Sequence, residues 1–235
     1  MASTHILASV RDFLAPPPLS PVFQDGGALA GWNEDLVLVM TGLALLFVLD
    51  VTLVKPFIHP KARYFALHAF GNAIAAVASS PDVYKSLADP VYAMTGPSHT
   101  MVANSMICAI HVYHCLAFKL RAEDIFHHVT FTAILCGLAI PYKQVGGAAN
   151  NFGCFFLSGL PGGIDYVLLV LVKQGVIHTL TEKRLNATIN AWCRMPSMIV
   201  YGFLMYQTIL YAVAATCVVV PPPSLTAVWK QVQEI

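Results

Sequence analysis

The stretch DIFHHVTF places Asp124 three residues before His127 and four before His128. On a helix these spacings bring a carboxylate within one turn of both imidazoles, so Asp124 can accept an N–H from either ring, orient it and raise its basicity. A general base needs that support, and His127, His128 and Asp124 are therefore the catalytic candidates. Adjacent side chains on a helix diverge by about 100°, so only one of the two histidines is expected to point squarely into a common cavity, the other bracing it or facing a neighbour. Glu123 and Asp124 also read as caps that complement a helix macrodipole, and the two readings are compatible.

Further polar groups interrupt apolar surroundings. His68 and Asn72 stand one turn apart in FALHAFGN, His111 and His114 share a helix face in IHVYH, and Ser158 and Asp165 flank a Gly-Leu-Pro-Gly-Gly sequence. An ionisable side chain in lipid costs on the order of 2.5 kcal/mol or more on insertion scales, so such groups usually face a bundle interior or a wet cavity. His68, Asn72, His111, His114, Ser158 and Asp165 are the expected cavity or lipid-binding set. The plainer alternatives are neutral core histidines bonded across to other helices, and a capping role for Asp165. Asp50 is expected to reach the interface near Lys55.

Composition names the medium. Of 235 residues 57% are hydrophobic and 11% charged, against roughly 25% charged in ordinary soluble chains. Apolar runs at about 36–54, 63–80, 101–120, 125–142, 149–172 and 196–220 are each long enough to cross a hydrocarbon core of roughly 30 Å as a helix. They do not alternate apolar with polar residues, so the expected fold is all-α, a bundle of six transmembrane helices. In the fifth, Pro161 between glycines removes a donor and clashes with the preceding turn, which predicts a break or kink there, with Asp165 in the first turn of the second half-helix. Gly71, Ala75 and Ser79 recur at i, i+4 and form a strip for close helix approach.

Three regions follow: residues 1–34, a short amphipathic segment and stiff proline-rich linker; residues 35–220, the membrane domain; and residues 221–235, an interfacial tail after Pro221-Pro222-Pro223. Arg11, Lys85, Lys143 and Lys230 fall on one side of this layout and the remaining lysines and arginines on the other, so both termini are expected on the non-cytoplasmic side. Asn186-Ala187-Thr188, a glycosylation sequon, then lies in a cytoplasmic loop. It is expected to stay unmodified; a glycosidase-sensitive mass shift mapped to Asn186 inverts the topology.

A net charge of +1 with scattered lysines and arginines leaves no patch for nucleic acid. The six cysteines have no CxxC spacing and read as small core residues, with neither disulfide nor zinc site expected. Membrane di-iron hydroxylases and desaturases use several histidine boxes and about eight ligands. Here the histidines in or beside the apolar runs are His68, His111, His114, His127 and His128, and the HxxHH box is absent, so no metal is expected.

The order FALHAFGN, IHVYH, a D-x-x-H-H element heading a span, and a later glycine-containing polar span resembles the TLC domain family, over about residues 35 to 220. The resemblance implies a six-helix bundle around a cavity for a lipid chain. In the ceramide synthase branch the paired histidines serve acyl transfer from acyl-CoA to a sphingoid amine, and His127 and His128 match them by position. That branch also carries a His-Asp pair and a further aspartate in the following span, where this chain has SGLPGGIDY with Asp165 and no histidine. The resemblance therefore points to the non-synthase members. Two functions are expected from it. One is a lipid-handling protein with no resident cofactor and acyl-CoA as the candidate substrate; the other is an accessory subunit of a larger complex with protein partners. The membrane is expected to be that of the endoplasmic reticulum or another organelle, mitochondria included.

Overall fold

The computed structural model describes residues 32–219 except 135, 136, 138, 141 and 142. The expected linker before residue 32, the tail from residue 221 and part of the fourth apolar run lie outside these residues. Apolar runs that satisfy their backbone internally become helices, and among the described residues every regular element is helical.

Helix α1 (Trp32–Leu49) continues through a π-wound segment, Asp50–Val54, into Lys55–Phe57. The chain reverses at a 3-10 turn, Pro60–Ala62, where His59 Nδ1 accepts the Lys61 N–H at 3.2 Å. Next come α2 (Arg63–Ala88), the short α3 (Pro90–Thr95), α4 (Val102–Ala117) and α5 (Ala122–Ile134). Then follow α6 (Lys143–Gly153), a second π-wound segment (Cys154–Gly159) and α7 (Leu160–Lys173). The series closes with α8 (Thr179–Ile189), a third π-wound segment (Asn190–Arg194) and α9 (Met195–Val219). Among the described residues two stretches are long and apolar enough to cross a membrane, Glu34–Phe57 (24 residues) and Gly146–Lys173 (28 residues); Val102–Ala117 is apolar but shorter.

Helix α2 is the central element and packs against α4, α6, α7 and the second π-wound segment. Its small-residue strip does what the sequence predicts: Gly71, Ala75 and Ser79 are buried. A Cβ added at Gly71 would stand 2.8 Å from Ile110 Cδ1 of α4, and one added at Gly159 would stand 3.1 Å from the Ala76 Cα. The Ile110 side chain therefore fills the space at Gly71, and the backbone at Gly159 comes directly against that of α2. The apolar core around it includes Leu46, Leu67, Met106, Ile110 and Tyr113.

The predicted break at Pro161 is not there. Pro161 sits in the first turn of α7 with the π-wound Cys154–Gly159 immediately before it. A π turn shifts each bond to i→i+5, so the missing proline N–H and its ring are accommodated by local rewinding and the helical winding continues into α7. Asp165 consequently has no free helix N-terminus beside it.

Two buried aspartates tie the helices together. Asp50, expected at the interface near Lys55, is instead fully buried. It receives Arg63 Nε at 2.6 Å, Arg63 Nη2 and the Tyr113 hydroxyl at 2.7 Å, which joins the end of α1 to the starts of α2 and the last turns of α4. Asp82 accepts the Tyr92 hydroxyl at 2.9 Å, the His99 N–H at 2.7 Å and Asn151 Nδ2 at 2.7 Å, joining α2, α3, the following loop and α6. Burial, with the Asp82 bond, pushes the Tyr92 hydroxyl up to about 12.

Gly147 enters α6 with φ +46° and ψ −141°, and the next N–H, of Ala148, donates to the Gly96 carbonyl at 3.0 Å. Only glycine takes this conformation readily, and the carbonyl occupies the space a Cβ needs. Gly147→Ala is expected to lower stability by about 1–3 kcal/mol, read as an earlier thermal transition in detergent. The cysteine expectation is corrected in part: Cys108 is disulfide-bonded, whereas Cys115, Cys154 and Cys193 are free. Sequence spacing does not show which cysteines of separate helices meet.

Candidate functional site: a histidine cluster between three helices

Five imidazoles converge where α2, α4 and α5 meet. His68 comes from α2, His111 and His114 from α4, and His127 and His128 from the first turns of α5. Their shared face arises from helix period: His111 and His114 are three apart on α4, and the reversal after Ala117 brings α5 back against it. His68 and His114 stack with centroids 4.0 Å apart, His114 and His128 lie at 5.4 Å, and His111 and His128 at 4.9 Å. His68, His111, His114 and His128 are buried, while His127 is exposed at the rim.

Two tyrosines complete the cluster. Tyr64 stacks on His114 at 4.1 Å and sets its hydroxyl 3.3 Å from His128 Nε2. Tyr166 of α7 stacks on His68 at 4.2 Å. Neither was singled out from the sequence, because an aromatic inside an apolar run reads as core; the usable signal was Tyr64 at i−4 from His68.

Of the two adjacent histidines, His128 points into the centre of the cluster and His127 stands at its edge facing its neighbour His111, the division expected from helix period. The expected pairing of Asp124 with these rings is replaced. Asp124 Oδ2 accepts Arg121 Nε at 3.1 Å and the Arg121 N–H at 3.3 Å, and Oδ1 faces Arg121 Nη2 at 3.5 Å. Those bonds hold the Asp124 carboxyl below its ordinary value. The carboxylate is thus taken up at the head of α5 by an arginine three residues earlier.

The orienting role falls to His111. Its Nδ1 lies 2.6 Å from the Ile107 carbonyl, which can only accept, so Nδ1 carries the proton and Nε2 bears the lone pair. That Nε2 is 3.4 Å from His127 Nε2. His127 must then donate from Nε2, leaving its Nδ1 lone pair free at the exposed rim. An imidazole held this way by an acceptor is arranged as a general base.

The rest of the expected set divides. Asn72 is buried one turn beyond His68 and packs on α7, where a Cβ added at Gly162 would meet its Nδ2 at 3.1 Å. Ser158 lies in the π-wound segment and has no hydrogen bond to the cluster. Asp165 does not join the imidazoles: its surroundings are Arg194, Glu182 and Lys183, and it is the next residue, Tyr166, that reaches them.

A cleft of about 560 Å³ opens beside the cluster, with Met40, Leu43, Phe47 and Leu116 on its walls and Lys55 and Arg63 supplying its charge. None of the expected cavity residues lines it. Arg63 and Tyr113 face this cleft while their neighbours Tyr64 and His114 stack inside the cluster. Successive helix positions diverge by about 100°, so the same turns of α2 and α4 present one side to the cleft and the other to the imidazoles. No protein-family model matches the chain, and no curated protein and no solved structure matches it. What defines the protein is therefore its own geometry: among the described residues, regular structure that is wholly helical, two helices long and apolar enough to cross a membrane, and a buried histidine cluster where α2, α4 and α5 meet.

Proposed function

We propose that the chain is a multi-pass membrane protein of six spans that binds the acyl chain of a lipid and acts on its polar end by acyl transfer. The carrying observation is the convergence of five imidazoles from three helices on the far side of the residues that wall an apolar cleft. A helical scaffold has no need of such a cluster, since apolar packing of the same volume leaves no polar groups to satisfy. The cleft has the size of small-molecule sites, roughly 300–1,000 Å³, apolar walls for a hydrocarbon and Lys55 for an anionic head, Arg63 being taken up by Asp50.

Outward-facing Phe57, Leu116, Phe126, Trp192, Ile199 and Phe203 are exposed large apolar groups, a surface suited to lipid and unsuited to water. In the reaction the His127 Nδ1 takes the proton of an attacking amine or hydroxyl as that nucleophile adds to the acyl thioester carbonyl. The thiolate leaves, and the imidazolium that forms keeps its Nε2–H on His111.

Lipid extraction from protein purified in mild detergent tests the binding half. Mass spectrometry is expected to find an acyl lipid enriched over the bulk membrane, and Leu43→Trp, which fills the cleft, is expected to remove it. A lipid profile identical to the bulk membrane in both proteins ends this reading.

A further inference from the structure

We propose that His68, His114 and His128 form a three-histidine site for a borderline divalent transition metal of the zinc type. One ligand nitrogen from each lies within 4.8 Å of the others, all three residues are buried, and each comes from a different helix. Four nitrogens of this set, His68 Nε2, His114 Nδ1 and Nε2, and His128 Nδ1, are buried with no hydrogen-bond partner among the described residues. Buried polar atoms are almost always paired, so this gathering of unpaired nitrogens calls for a group that accepts the one lone pair each neutral ring carries.

The tautomers suit a metal. His68 Nδ1 faces the Tyr64 carbonyl at 3.4 Å, so it carries the proton and turns its Nε2 lone pair inward. Metal-bound histidines typically donate the other ring N–H to a backbone carbonyl in this way. The donor set has neither carboxylate nor thiolate, which favours zinc, cobalt, nickel or copper(II) over magnesium and calcium. Three imidazoles leave the fourth position of a tetrahedral ion open, and the Tyr64 hydroxyl, 3.3 Å from His128 Nε2, engages the ring nitrogen other than the unpaired Nδ1. The absence of a di-iron histidine box from the sequence does not bear on this site, since one ion needs three or four ligands where two irons need about eight.

A second grouping, His111, His127 and His128, shares His128. There the two Nε2 atoms already satisfy each other at 3.4 Å and His127 is exposed, so the buried trio is the better-prepared site. The inference concerns the same cluster as the lipid reading but rests on the nitrogens alone, and each can fail without the other.

Tag-free, full-length protein in detergent, stripped with chelator and titrated with Zn²⁺ or Co²⁺, tests it. The expected result is about one ion per chain, with the visible bands of tetrahedral Co²⁺. His68→Gln and His128→Gln are expected to weaken binding tenfold or more, and His127→Ala to leave it unchanged. Absence of stoichiometric binding by the wild type overturns the proposal, as does loss in His127→Ala with retention in His68→Gln. If the glutamine variants do not fold, X-ray absorption on the zinc-loaded wild type decides: scattering from about three imidazoles supports the site, and none overturns it.

Discussion

Arg63→Met is expected to destabilise the folded protein by about 3–5 kcal/mol, because it leaves the Asp50 carboxylate buried without its counter-charge. Asp50 is fully buried, and two of its three donors come from the one guanidinium. The remaining Tyr113 hydroxyl, at 2.7 Å, supplies one neutral bond and no charge. Arg63 also lies over the Phe118 ring at 4.5 Å, so its removal loses packing as well. The double variant Asp50→Leu with Arg63→Met is expected to recover most of the loss, since apolar groups of similar volume need no partner. Unfolding in mixed micelles, followed by circular dichroism, measures both. A single variant within about 1 kcal/mol of wild type would show that the pair contributes no more than an exposed one.

How far the sequence reveals this protein depends on the range of each interaction. Helical content and the start of α2 and end of α7 follow from apolar runs, which are local, whereas α2 continues to Ala88, beyond the expected residue 80; the strip Gly71, Ala75 and Ser79 follows from period alone. The grouping of His68, His111, His114, His127 and His128 was legible because each is costly alone in an apolar setting and the cost falls when they share an interior. Pairings were less legible. Asp50 has Lys55 five residues on, but a reversal at Pro60–Ala62 delivers Arg63 to it instead. Asp124 sits at helical spacing from both His127 and His128, yet Arg121 at i−3 competes for the same oxygens and carries a full charge.

Pro161 illustrates the other limit: proline removes a donor and crowds the preceding turn, but whether the helix breaks or rewinds goes with the packing of Gly159 on Ala76 and of Gly162 on Asn72. Those contacts join residues of separate helices and leave no periodic trace.

His127→Ala is expected to lower the proposed acyl transfer by about 10²–10⁴-fold, the usual contribution of a positioned general base. Helicity should be unchanged, since His127 is exposed and its loss opens no buried cavity. His111→Ala should approach the same loss, because His111 fixes the His127 tautomer through the chain from the Ile107 carbonyl at 2.6 Å to the paired Nε2 atoms at 3.4 Å. His111→Asn, which keeps an acceptor near that place, should recover part of the rate, a rescue that a purely structural role does not predict. Asp124→Asn separates the two candidate orienters. Its carboxylate is occupied by Arg121, so the variant should stay within about threefold of wild type, whereas an Asp-supported base of the kind the spacing suggests would lose about 10²-fold or more. Turnover of an acyl-CoA with a long-chain amine or alcohol acceptor, followed by mass spectrometry in native-lipid nanodiscs, reads all four. A wild-type rate in His127→Ala removes the catalytic role from the rim histidine, and a severe loss in Asp124→Asn alone returns it to the carboxylate.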